Sequence, residues 1–134
     1  MSMFPNLVGR AWLARFKPVR SVLPVSERLY ACLGGLLGLL LTAFALRVGF
    51  GGAHVPLLIA PLGASTVLVF GVPASPLAQP WSVIAGNVVA ALVGVTAAHC
   101  IRDPYFAGAG AVAATIAITS LLRCLHPPAG AVAL

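Results

Sequence analysis

Acidic side chains are almost missing: Asp and Glu together number 2 in 134 residues, against 8 Lys and Arg. Charged residues of both signs make up 7% of the chain, where an ordinary soluble domain carries about a quarter. So few cannot cover a water-facing surface. Disorder is excluded as well, because it needs low hydrophobicity and high charge, whereas 60% of the residues are hydrophobic and the mean hydropathy is +1.06. With Glu27 ahead of the first apolar run and Asp103 in a distant turn, no carboxylate pair is available for acid/base work, and an enzyme is not expected. The 3 cysteines, Cys32, Cys100 and Cys124, show no CxxC spacing and lie in or beside apolar runs. Neither a disulfide framework nor a zinc ribbon fits that usage. Aromatics are few (7%), and no base-reading motif accompanies the basic residues. The net charge of +6 and the pI near 10.3 therefore do not point to nucleic acid.

What the chain does have is long uncharged stretches. No ionised side chain occurs from Leu29 to Leu46, from Val48 to Ile101, or from Pro104 to Leu122. A spanning helix needs about 20 mostly apolar residues, so the middle stretch holds two spans, separated by the proline-rich Gly71-Val-Pro-Ala-Ser-Pro-Leu-Ala-Gln-Pro80. The expected fold is all-α, a polytopic transmembrane helix bundle. Its spans fall near 29–50, 55–72, 82–101 and 105–122, with a fifth beginning at about 126 and cut short. The runs lack the alternation of barrel strands. Arg10, Arg15, Lys17, Arg20 and Arg28 precede the first span and Arg123 follows the fourth, while Arg47 and Arg102 fall on the other side. The positive-inside rule then places the N-terminus in the cytoplasm, with a bacterial inner membrane as the expected location.

Small residues form ridges at helical spacing: Gly34 and Gly38; Gly86, Ala90, Gly94 and Ala98; Ala107, Ala111, Thr115 and Thr119. Such ridges let helices approach closely in lipid and speak for packing, not activity. His99 and Cys100 end the third span, whereas Cys124 and His126 follow the fourth. These potential ligands fall on opposite sides of the bilayer, so no metal site is expected. His54 and His99 are expected at the membrane interface. Chemistry is better sought at two helix breaks. Pro61 and Gly63 interrupt the second span, and Pro127-Pro128 opens the last segment. Both carry Pro-x-Gly-Ala (Pro61–Ala64, Pro128–Ala131) and should run in opposite directions, the pattern of an inverted repeat with a site between broken helices. Exposed helix N-termini favour anions. The expected binding residues are Gly63, Ala64, Ser65 and Thr66 on one side, and His126, Gly130 and Ala131 on the other. Asn87 is a further internal polar group, and His126 is the proton-sensitive member.

At these residues the sequence resembles the HPP integral membrane proteins, on Leu125-His-Pro-Pro-Ala-Gly130, Ala60-Pro-Leu-Gly-Ala-Ser65 and the Pro73–Pro80 loop running into Trp81. Phe16-Lys-Pro18, Pro24 and Glu27-Arg28 resemble the family's lead-in. The placement of charge marks residues 1–28 as a basic cytoplasmic segment, and the resemblance implies an HPP-type transmembrane domain over 29–134. It also implies transport, since some members are regarded as nitrite transporters, and a downstream regulatory domain of CBS type in some chains. The expectation is a transporter or channel for a small anion, nitrite first, without a cofactor and with the lipid bilayer as its partner. The alternative is a non-conducting membrane anchor or scaffold for a regulatory partner. A homo-oligomer stays open.

Overall fold

A computed structural model describes residues 24–50 and 55–134, with side chains from residue 60 onward in the second block. Arg10, Arg15, Lys17, Arg20, the lead-in around Phe16-Lys-Pro18 and His54 lie outside the described residues. Among those described there are five α-helices and no strand: α1 (Val25–Phe50), α2 (Val55–Gly71), α3 (Pro80–Cys100), α4 (Pro104–Leu121) and α5 (Ala129–Val132). A 3-10 turn at Pro76–Ala78 stands between α2 and α3. Three of these helices, α1, α3 and α4, are long and apolar enough to cross a membrane, and Ala60–Gly71 of α2 is a shorter apolar stretch. The protein is a helical membrane bundle. The second expected span is the exception: the 17 residues of α2 reach about 25 Å at 1.5 Å each, short of a hydrocarbon core of about 30 Å.

Local chemistry sets the helix ends. Pro24 stands just outside α1, where its carbonyl accepts from the Arg28 N–H at 3.2 Å, and Glu27 lies in the first turn, beside the positive end of the helix dipole. Pro80 and Pro104 occupy the first positions of α3 and α4, where a missing N–H costs nothing. Asp103 caps α4, its Oδ1 accepting from the N–H groups of Tyr105 (2.9 Å) and Phe106 (3.2 Å). The α4 C-terminus closes with a Schellman turn. Cys124 N–H donates to Thr119 O at 2.9 Å and Arg123 N–H to Ser120 O at 3.3 Å, with Arg123 at φ 54°, in the left-handed region that glycine usually fills.

That turn sends the chain back into the bundle. α1 pairs with α2 and α3 with α4 as antiparallel hairpins, and α5 touches α2, α3 and α4. Cys124, His126, Ala129 and Ala133 are buried. Ala129 and Ala133 pack with Ala90 and Ala111 into the core. The ridge of Ala107, Ala111, Thr115 and Thr119 is buried throughout. Gly86 and Ala90 are buried on α3, whereas Ala98 is exposed. Large apolar side chains such as Leu36, Phe44, Ile84, Leu92 and Phe106 face outward, as a lipid-facing surface requires.

The expected break at Pro61 does not divide α2, which runs unbroken from Val55 to Gly71 with Pro61 inside. Pro61 lies in the second turn, so its missing N–H deprives only the Leu57 carbonyl of a partner, and the helix resumes beyond it. The Pro127-Pro128 break is present but starts α5 later than expected. A tight turn comes first, with Ala129 N–H donating to His126 O at 2.9 Å, and α-helix follows only from Ala129.

Candidate functional site

His126 is the junction of the bundle. Its ring is 2% exposed, with Nε2 2.9 Å from Ser65 Oγ on α2 and Nδ1 2.9 Å from the Leu77 carbonyl in the 3-10 turn. A carbonyl only accepts, so Nδ1 carries hydrogen. In the neutral ring, Nε2 is then the acceptor and the Ser65 hydroxyl donates to it. Ser65, six residues before the end of α2, and Gly86, six after the start of α3, put this layer about 9 Å inside the bundle at 1.5 Å per residue.

The sequence places His126 there by a close backbone approach. A Cβ built on Gly86 would lie 2.8 Å from Cys124 O and 2.9 Å from His126 Cβ, and one on Gly94 only 2.5 Å from Ala133 O. Only glycine admits the segment at either point, so 124–133 lies along α3 in the same direction, antiparallel to α2. The two Pro-x-Gly-Ala segments therefore run oppositely and meet through Ser65 and His126.

Other polar groups gather near this layer. Ser82 Oγ donates to Pro76 O at 3.0 Å, holding the 3-10 turn against α3, and Thr119 Oγ1 donates to Thr115 O at 2.6 Å. Among the described residues the buried polar ones are Ser65, Ser82, Thr115, Thr119 and His126, with no Asp, Glu, Lys or Arg among them. Two oxygens remain without a hydrogen-bond partner among the described residues: Asn87 Oδ1 and Thr115 Oγ1. Ala90 and Ala111 share one core cluster, so one helical turn toward the site brings Gly86 and Thr115 to a common level, with Asn87 beside it.

The other expected site residues divide. Thr66 turns to α1, its Oγ1 donating to Leu62 O at 2.8 Å and its methyl facing Gly35. Ala64 and Ala131 are exposed. A Cβ on Gly63 would have no neighbouring atom within 4 Å, and one on Gly130 would make one ordinary contact, to Val112 at 3.9 Å; close backbone approach is found at Gly86 and Gly94 instead. The expected cradle of free backbone N–H groups is absent too. Gly130 and Ala131 donate to Pro127 O (3.2 Å) and Pro128 O (3.0 Å). Gly63, Ala64 and Ser65 lie inside α2, where N–H groups bond within the helix. Sequence reasoning missed the Leu77 carbonyl, which carries no side-chain signal. It read Gly86 and Thr115 as packing only.

This geometry places the HPP-like block at the centre of the fold. A family model described as HPP, transmembrane region, matches residues 20–134. The chain belongs to the HPP transmembrane family. A transmembrane protein of Dictyostelium discoideum is 35% identical over 130 residues, covering 93% of this chain and 46% of the relative. A second from the same organism is 40% identical over 81 residues, covering 58% of this chain and 26% of the relative. The chain thus spans less than half the length of these relatives. No solved structure matches it.

Proposed function

We propose that this HPP domain conducts a small anion, nitrite first among candidates, and that His126 couples the movement to a proton. The observation that carries the reading is the buried Ser65–His126–Leu77 relay inside an apolar membrane bundle, because polar groups at such depth mark substrate and proton paths. The relay has a two-state chemistry. In the neutral ring the Ser65 O–H donates to Nε2. A proton gained at Nε2 reverses that bond, so that Nε2–H donates to Ser65 Oγ and the hydroxyl hydrogen turns to another acceptor. An anion supplies both the acceptor and the compensating charge, while Nδ1–H stays on Leu77 O throughout. Binding of the anion and of the proton are thereby linked.

Uptake of nitrite into proteoliposomes at varied outside pH tests the proposal. Uptake should rise as outside pH falls, and His126→Gln, which keeps a hydrogen-bond donor, should flatten that dependence. An unchanged pH profile in a folded His126→Gln variant would leave the ring a purely structural role. The tight contacts at Gly86 and Gly94 favour a second reading, a non-conducting anchor or scaffold for a regulatory partner; it expects no uptake at all.

The placement proposed is a bacterial inner membrane with the N-terminus in the cytoplasm. Arg28 and Arg123 lie at the end of the bundle that carries the 72–79 loop, and Arg47 and Arg102 at the other, so the charge asymmetry rests on residues 10–20. In whole cells, a cysteine at Ala74 should resist an impermeant thiol reagent and one at Arg102 should label, in a background without Cys32 and Cys100. The reverse pattern would invert the orientation.

A further inference from the structure

The α1–α2 hairpin, away from His126, carries a long groove on its membrane-facing side. Its shaft holds about 560 Å³ between Gly35, Leu36 and Leu39 of α1 and Gly63, Val67 and Phe70 of α2. A second hollow of about 320 Å³ shares Ala31 and Phe70 with the shaft and opens at the α1 N-terminus beside Glu27, Tyr30 and Pro73. Each hollow is of the size that holds a small ligand, about 300–1,000 Å³. The shaft is apolar, save for Thr66, whose hydroxyl is already bonded within α2. The mouth has different chemistry. It presents a carboxylate and a phenol, and Glu27 is one of only 2 acidic residues in the chain.

We propose that this groove binds a phospholipid with an ammonium headgroup, its acyl chain in the shaft and its ammonium on Glu27. Three features converge on that occupant. The groove lies on a helix pair whose outward faces are apolar, so hydrocarbon is the medium that fills the shaft. Gly63 has open space in front of its backbone, so the shaft stays empty of side chains where a chain would lie. A carboxylate at the membrane edge accepts hydrogen bonds from an ammonium group and repels an anionic headgroup, while the Tyr30 hydroxyl can donate to the phosphate. An apolar helix from a second copy would meet the same shaft, but its apolar face carries no cation for Glu27.

Native mass spectrometry of the purified, delipidated full chain tests this, with dioleoylphosphatidylethanolamine or dioleoylphosphatidylglycerol added back. The wild type should retain the ethanolamine lipid over the glycerol lipid by up to about five-fold, the range of one partly exposed charge pair. Glu27→Gln should remove that preference and Glu27→Lys should invert it. Gly63→Leu, whose Cβ has open space in front of it and whose side chain occupies the shaft, should lower retention of both lipids while the thermal melt in detergent stays within a few degrees of wild type. Equal retention of the two lipids by the wild type would overturn the proposal. So would a preference indifferent to Glu27, or a Gly63→Leu variant that changes the monomer–dimer ratio and leaves lipid retention intact.

Discussion

Between α1 and α2 the closest approach is made by a side chain: the Phe70 ring lies over Gly34 and Gly38, 2.7 Å and 3.4 Å from the methyl position on each. Between α3 and the 124–133 segment the backbones themselves meet, with Cys124 O at Gly86 and Ala133 O at Gly94. A ring at the end of two rotatable bonds can yield, whereas a peptide unit pinned by its own hydrogen bonds cannot. The contrast extends to polarity. No residue of α1 is buried, while the buried polar residues lie on α2, α3, α4 and the returning segment. The first hairpin is a yielding, lipid-facing unit, and the second holds the site rigidly. His126 bonds to Ser65 across the two.

The hardest way to break the comparison is at Gly94. Gly94→Leu puts carbon into the Ala133 carbonyl, and overpacking of this kind costs about 1–3 kcal/mol or more; a thermal melt in detergent should show a large loss or no folded protein. Gly63→Leu on the yielding side is the matched control and should melt within a few degrees of wild type. Comparable losses for the two would erase the distinction.

Next in size is the bond between the units. Ser65→Ala leaves His126 Nε2 buried without a partner, which costs about 1–3 kcal/mol. Ser65→Thr keeps the hydroxyl and should recover part of that stability. If Ser65→Ala melts like wild type, the hydrogen bond does not join the hairpins. Arg123 gives a gain of similar scale. A non-glycine residue in the left-handed region costs about 1–2 kcal/mol, so Arg123→Gly should raise the melting temperature, less whatever glycine adds to the freedom of the unfolded chain.

The rigid and the yielding parts were unequally legible. Helix positions followed from hydropathy and the prolines, because a 20-residue apolar run between charges has few alternatives in lipid. The small-residue ridges also announced their faces, and Thr115 and Thr119 are buried as their spacing implies. The relay was half legible: Ser65 and His126 stood out by type and by the repeated Pro-x-Gly-Ala. Their common partner, the Leu77 carbonyl, is a backbone atom, identical at every position until the fold selects one. The Schellman turn was invisible because Arg123 stands where glycine would have marked it. The proline at 61 misled in the opposite sense. Its cost was readable, but not that it would fall in the second turn of a short helix, where one lost bond leaves the rest of the helix intact.

The smallest effect is expected at Gly34, and its sign tests the comparison most finely. Gly34→Ala places a methyl 2.7 Å from Cδ1 and Cε1 of Phe70, so something must shift. The ring is 37% exposed and can swing toward lipid, giving up part of its packing on α1. Against that, replacing glycine by alanine inside a helix gains about 0.5–1 kcal/mol. The two terms are of the same size, so the net change in melting temperature should be close to zero. Phe70→Ala separates them: with the ring gone, Gly34→Ala should stabilise the protein by about 0.5–1 kcal/mol, and the double-mutant cycle reports the ring–methyl coupling directly. A Gly34→Ala loss as large as that of Gly94→Leu would mean that Phe70 is held as firmly as a backbone, and α1–α2 would then be no more yielding than α3 and its returning segment.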